Sequence, residues 1–155
     1  YQLAIRLPEK ADEIVNEQLK RISNPDRQAE YRFISPSVSP RKEVRDSVFE
    51  ALLVADNRRI EPWASTALSL LNHRLREAES VEYIRPALEI LEEVQRTGDI
   101  FFPTAWLRAL LGGHSSVQAR DEVEAFYAEY PDFPEMLLNK IRQQADHLYR
   151  LHAGE

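Results

Sequence analysis

Cysteine is absent from the 155 residues. That excludes disulfide frameworks and thiolate chemistry, and it leaves the chain with no redox-compartment signal of its own. Glycine is scarce, with four in all, and three of them, Gly98, Gly112 and Gly113, fall in one short stretch. No phosphate cradle can be assembled from them, because Gly112 and Gly113 follow a helical pattern rather than a strand and lack the third glycine or lysine such loops need. No apolar run is long enough to span a membrane, and no signal-peptide pattern is present. Positive charge is in deficit, at 20 Lys and Arg against 26 Asp and Glu, for a net charge of -6. Binding to nucleic acid or an anionic membrane through a dense positive field is therefore excluded as an expectation. Tyr1 stands where an initiator methionine would, so we expect a piece of a longer protein.

What the chain does have is helical period. Apolar residues recur at spacings of three and four and nowhere alternate over a sustained run, which predicts an all-α protein. Ala11, Ile14, Val15, Leu19 and Ile22 line a helix after Pro8. Asn24 and Pro25 read as the N-cap and first-turn proline of the next, which carries Ala29, Phe33 and Ile34. Two prolines and three serines between Ser35 and Pro40 predict a loop. Ser39 and Pro40 then open a helix with Val44, Val48, Leu52 and Ala55 inward, ending near Asp56 and Asn57. Another starts at Pro62, with Trp63, Ala67, Leu68 and Leu71 on its face. Polar residues from Asn72 to Ser80 lead to the next helix.

The stretch from Leu91 to His114 is the best punctuated. Ile84, Ala87, Leu88, Leu91 and Val94 form an apolar face that runs into Gly98, where a left-handed C-cap is expected. Pro86 predicts either a kink in that helix or a later start. After Asp99 come Ile100, Phe101 and Phe102, and Pro103 suits the first turn of a new helix faced by Trp106, Leu107, Leu110 and Leu111. Gly112 and Gly113 end it. Ser115 or Ser116 caps a helix bearing Val123, Phe126, Tyr127 and Tyr130. The last helix runs from about Pro134 to Leu151, with Leu137, Leu138, Ile141, Ala145 and Leu148 inward.

Seven or eight helices with short connections predict an antiparallel helical stack, armadillo- or HEAT-like, formed as a single domain over 1–155. A chain of this length buries roughly 70% of its unfolded surface, enough for one core. Setting Pro62 against Pro103 also aligns Ala64 with Ala105, Leu70 with Leu111 and His73 with His114. That offset of about 41 residues lies in the armadillo and HEAT range.

Catalytic chemistry is hard to find. His73, His114, His147 and His152 include no pair four apart and no His-Glu-x-x-His, so they read as surface or capping residues and supply no metal site. His152 and Glu155 make a chance His-x-x-Glu. Glu92 with Glu93, and Asp121 with Glu122, read as solvated faces. Arg74, Arg76, Arg96 and Arg108 are candidate carboxylate binders. The apolar run is the stronger candidate: Ile100, Phe101, Phe102 and Trp106 cannot all point one way, so either the turn folds back onto the core or part of this surface faces a partner.

Four segments carry a resemblance. Tyr31 to Ser39 (YRFISPSVS), Tyr83 to Pro103 (YIRPALEILEEVQRTGDIFFP), Trp106-Leu107, and Asn139 to Arg150 (NKIRQQADHLYR) resemble the C-terminal helical region of bacterial zinc aminopeptidases of the aminopeptidase N type, over residues 26–151. In that family a His-Glu-x-x-His helix and a later Asn-Glu motif bind zinc, and a Gly-x-Met-Glu-Asn strand holds the substrate amino terminus, all on a separate catalytic domain. None of the three is present here, and Asn16-Glu17, without the histidine helix, is a coincidence. The resemblance thus implies no catalytic, cofactor-binding or metal-binding residue in this chain, with zinc belonging to the parent's catalytic domain. It implies an armadillo- or HEAT-like stack that covers the active-site cavity and limits access to it, with that catalytic domain and the parent's peptide substrate as partners. Nucleic acid and membrane are not among the expected partners. Ile100, Phe101, Phe102 and Trp106 become the expected domain interface, and Arg32 the expected contact to a substrate carboxylate. The compartment stays open between bacterial cytoplasm and periplasm. The alternative is a free-standing helical-repeat scaffold that binds a protein or peptide.

Overall fold

In a computed structural model, described over residues 1–154, the chain is all-α, with no strand among the described residues. The helices divide between two compact units, Tyr1–Leu71 and the chain from Asn72 onward. No helix among the described residues is long and apolar enough to cross a membrane.

The first unit contains α1 (Gln2–Arg6), α2 (Ala11–Arg21), α3 (Pro25–Ile34), α4 (Lys42–Leu52) and α5 (Glu61–Leu71). Its core gathers Ala4, Ile5, Ala11, Ile34, Val38 and Leu70, with Ile14, Val15, Phe33 and Trp63 packed on it. Asn24 caps α3 as its sequence predicts, its Oδ1 accepting from the amides of Asp26 at 2.8 Å and Arg27 at 3.2 Å. The Ser35–Pro40 stretch departs from a simple surface loop. Ser35–Val38 forms a 3-10 turn in which Ser37 and Val38 are fully buried. Arg45 makes this possible: its buried guanidinium donates to the Ser39 carbonyl at 2.8 Å, supplying a donor that water would give an exposed loop. The next helix also starts later than Ser39 and Pro40 suggest, at Lys42, because the Ser39 hydroxyl accepts the Arg41 amide outside the helix. It ends at Leu52, so Ala55 belongs to a 3-10 turn over Ala55–Arg58.

The second unit contains α6 (Glu77–Ser80), α7 (Ile84–Glu89), α8 (Leu91–Thr97), α9 (Phe102–Leu111), α10 (Val117–Glu129) and α11 (Glu135–Leu151). The number of helices is close to the seven or eight expected, the extra pieces being short α1 and the fragmentation between Glu77 and Thr97. Pro86 does not break the chain where it stands. It occupies the first turn of α7, where a missing amide proton costs nothing, and the interruption falls at Ile90. Gly98 corrects the left-handed cap. Its φ of -111° is extended, so the need for glycine is spatial: a Cβ there would lie 2.7 Å from Phe102 Cδ1 and 2.9 Å from the Val94 carbonyl oxygen.

Helix α9 carries the core of this unit. Phe102, Trp106, Leu107, Leu110 and Leu111 are all buried, and the Trp106 indole donates to the Ala87 carbonyl of α7 at 3.1 Å. The predicted inward faces of α10 (Val123, Phe126) and α11 (Leu137, Leu138, Ile141, Ala145, Leu148) are buried as well. Phe126 anchors a small aromatic cluster, with ring centroids 4.9 Å from Tyr130 and 5.0 Å from Phe133.

Side-chain bonds fix the helix directions. Arg120 reaches the His152 carbonyl and Glu124 the Tyr149 hydroxyl, so α10 and α11 run antiparallel. Thr104 meets Lys140 and the Leu111 carbonyl meets His147, so α9 and α11 run parallel. Antiparallel neighbours with parallel next-neighbours are the geometry of a helical stack.

Two substitutions test this packing by urea unfolding of the chain. Trp106→Ala is expected to cost about 3–5 kcal/mol through loss of a fully enclosed ring. Gly113→Ala would set a Cβ 2.0 Å from the Asn72 backbone oxygen and is expected to cost about 1–3 kcal/mol by overpacking. Gln118→Ala, on the exposed side of α10, should stay within about 0.5 kcal/mol.

Candidate functional site

The four residues expected at an interface separate. Phe102 and Trp106 turn inward, their rings 6.0 Å apart in an edge-to-face contact, and belong to the core. Ile100 and Phe101 turn outward, 80% and 77% exposed. Local geometry explains the split. Asp99 Oδ1 accepts the Phe101 amide at 2.7 Å and the Asp99 carbonyl accepts the Phe102 amide at 3.1 Å, a tight turn that projects its two middle side chains while the helix behind it buries the next. Met136 was not anticipated from sequence. It lies in the first turn of α11 and is 66% exposed. The exposed apolar surface is therefore Ile100 with Phe101, in place of the Ile-Phe-Phe-Trp run.

Arg32 lies exposed on α3 of the first unit and holds no ion pair or hydrogen bond among the described residues. Of the other candidate arginines, Arg74, Arg96 and Arg108 are exposed and Arg76 is buried. Asp121 is beside Arg120 and Glu122 beside Arg85, so these carboxylates serve ion pairs on helix surfaces. No group of three His, Cys, Asp or Glu among the described residues is arranged to hold a metal. Glu155 lies outside the described residues.

The histidines do something the sequence conceals. His73 caps the turn that follows it, its Nδ1 accepting the Leu75 amide at 3.1 Å, as expected of a capping residue. The other three converge on the connection between α9 and α10. His147 Nε2, from α11, lies 3.1 Å from the Leu111 carbonyl oxygen and 3.0 Å from that of His114, and must donate to both. His152 Nε2 donates to the Ser115 carbonyl at 2.7 Å. Glu77 takes the Ser115 amide at 2.7 Å and its hydroxyl at 2.9 Å, which leaves Ser116 as the cap of α10.

His114 itself is neither a surface nor a capping residue. It is 1% exposed, with Nε2 2.8 Å from Asn72 Oδ1. That contact makes Nε2 the protonated nitrogen and leaves Nδ1 buried without a partner among the described residues. Burial therefore holds the imidazole down, to about 4 from its ordinary 6.5, with Glu77 opposing the shift and His147 adding to it. The ring is a neutral wedge that ties a loop to Asn72, and only the folded contacts could have revealed it.

This wedge makes acid sensitivity predictable. The unfolded chain binds a proton at His114 near pH 6.5 while the folded chain resists until about pH 4, so stability falls as pH is lowered through that window and levels below it. The contribution at stake is about 3 kcal/mol. Urea midpoints measured from pH 7.5 to pH 4 should fall more steeply for the native chain than for His114→Gln, which cannot titrate. Parallel slopes would contradict the assignment.

In comparison with known proteins, no family model matches the chain, and no match was found among curated proteins or solved structures.

Proposed function

We propose that this chain is a noncatalytic helical domain of a zinc aminopeptidase-like enzyme, docked on the catalytic domain through the edge formed by Ile100 and Phe101. In that role it covers the peptide-binding cavity and restricts what enters. Catalysis and zinc reside in the parent's other domain, and the parent removes residues from peptide N-termini. The observation that carries this reading is the exposure of Ile100 and Phe101 inside the longest of the segments that resemble the family. Large apolar side chains held outward by a hydrogen-bonded turn are suited to being covered. Arg32, exposed and unengaged, is available to a peptide carboxylate. The histidines and Glu77 around the α9–α10 connection bond mainly to backbone groups, which is in keeping with a role of shape rather than chemistry.

Two experiments test this. The purified chain, supplied with zinc and aminoacyl reporter substrates, is expected to give no turnover above buffer, and sustained turnover would overturn the noncatalytic role. The double substitution Ile100→Ser and Phe101→Ser should leave the isolated chain within about 0.5 kcal/mol of its original stability, since both residues are exposed. In the longer enzyme the same change should speed limited proteolysis between the domains and admit larger peptides. An unchanged digestion rate and size preference would favour a free-standing scaffold.

A further inference from the structure

A recess of about 370 Å³ opens between α10 and α11, lined by Glu124 and Tyr127 from one helix and Arg142, Asp146 and Tyr149 from the other. Its volume is at the lower end of the ~300–1,000 Å³ typical of small-ligand sites. The spacing builds it. Residues three apart on α10 and four and three apart on α11 each make one stripe, and the antiparallel pairing brings the stripes face to face.

Of the carboxylates there, Glu124 has no cation paired with it among the described residues. Arg142 is committed elsewhere, donating to Glu135 and to Asn139 at 2.8 Å each while its guanidinium lies 5.8 Å from the centre of the Tyr127 ring. That leaves Glu124 and Asp146 as the carboxylates facing the recess. Glu124 accepts only the Tyr149 hydroxyl among the described residues. Asp146 pairs with Arg150, whose side chain is 80% exposed and so is readily exchanged for another cation. The phenols stay neutral: burial pushes Tyr127 up to about 12, with Arg142 opposing and Glu124 adding, and Tyr149 is raised by burial and by its bond to Glu124. With Arg142 and Arg150 each paired to a carboxylate, two neutral rings beside Glu124 favour a further positive charge. A bare metal ion is poorly served, since no three potential ligands among the described residues are grouped.

We propose that this recess binds an organic cation the size of a lysine or arginine side chain, with its charged head on Glu124 and Asp146 and its aliphatic stem along the Tyr127 and Tyr149 rings. The site is separate from the apolar edge at Ile100 and stands whether or not the docking role does. The cation can come from a peptide side chain or from a free amine, and the chemistry of recognition is common to both.

An NMR titration of the isotope-labelled chain tests it, using acetyl-arginine amide, acetyl-lysine amide, agmatine and neutral acetyl-citrulline amide as probes. The cationic probes should give saturable shifts at amides around Glu124, Tyr127 and Asp146, weakening as salt is raised, while citrulline gives none. E124Q with D146N should weaken the cations about tenfold or more. Both positions are exposed, so the circular dichroism of this variant should match the original. Tighter binding of the capped amino acids than of agmatine would identify a peptide side chain as the occupant, and comparable binding a free amine. Absence of saturable shifts at α10 and α11, equal affinity in the variant, or equal binding of citrulline would overturn the proposal.

Discussion

Helix α9 has to be kept dry on nearly every side, and the second unit is arranged to meet that requirement. Phe102, Pro103, Trp106, Leu107, Ala109, Leu110 and Leu111 are all buried within one ten-residue helix. A helix that apolar cannot sit at a surface. Parallel α11 packs against it, and α7 supplies the carbonyl that the Trp106 indole needs once it leaves water. The polar groups at its C-terminus must also be satisfied, which is the work of His147 on the Leu111 and His114 carbonyls. Gly113 lets the chain pass against the Asn72 backbone where any side chain would collide.

Those demands also explain what the sequence could and could not disclose. Caps and apolar faces are local, so Asn24, Pro103 and the inward stripe of α11 could be read directly from spacing. Contacts between distant residues are not local. His114 looks like a residue just past a helix end until Asn72 and His147 are seen around it, and Ser35–Pro40 looks like an exposed loop until Arg45 is found holding its carbonyl. The split within Ile100, Phe101, Phe102 and Trp106 follows from one Asx-type turn at Asp99, whose signature is present in the sequence but whose direction is not. The echo between Pro62 and Pro103 is met in both helices by a proline at the second position, whereas His73 and His114, aligned by the same offset, take different roles: one caps a turn and the other fills a core.

The functional reading rests on the contrast between the buried run of α9 and the exposed apolar pair that precedes it. Inside the second unit, His147, His152 and Glu77 satisfy groups of the α9–α10 connection, and His114 meets Asn72. Outside, Ile100 and Phe101 present apolar surface just before α9. A domain that shields a peptidase cavity needs a rigid stack and a sticky margin, and it needs no chemistry of its own. The acidic surface, at a net charge of -6, suits a basic or neutral partner face better than an acidic one.

The central claim is that the Ile100–Phe101 edge is covered by the zinc-bearing domain of the same enzyme. Replacing Phe101 with a photoreactive phenylalanine analogue in the longer protein, followed by irradiation and mass spectrometry, tests it most directly. The account predicts crosslinks from position 101 to residues of the domain that carries the His-Glu-x-x-His helix. Crosslinks only to water, or only to a second copy of this chain, would contradict it.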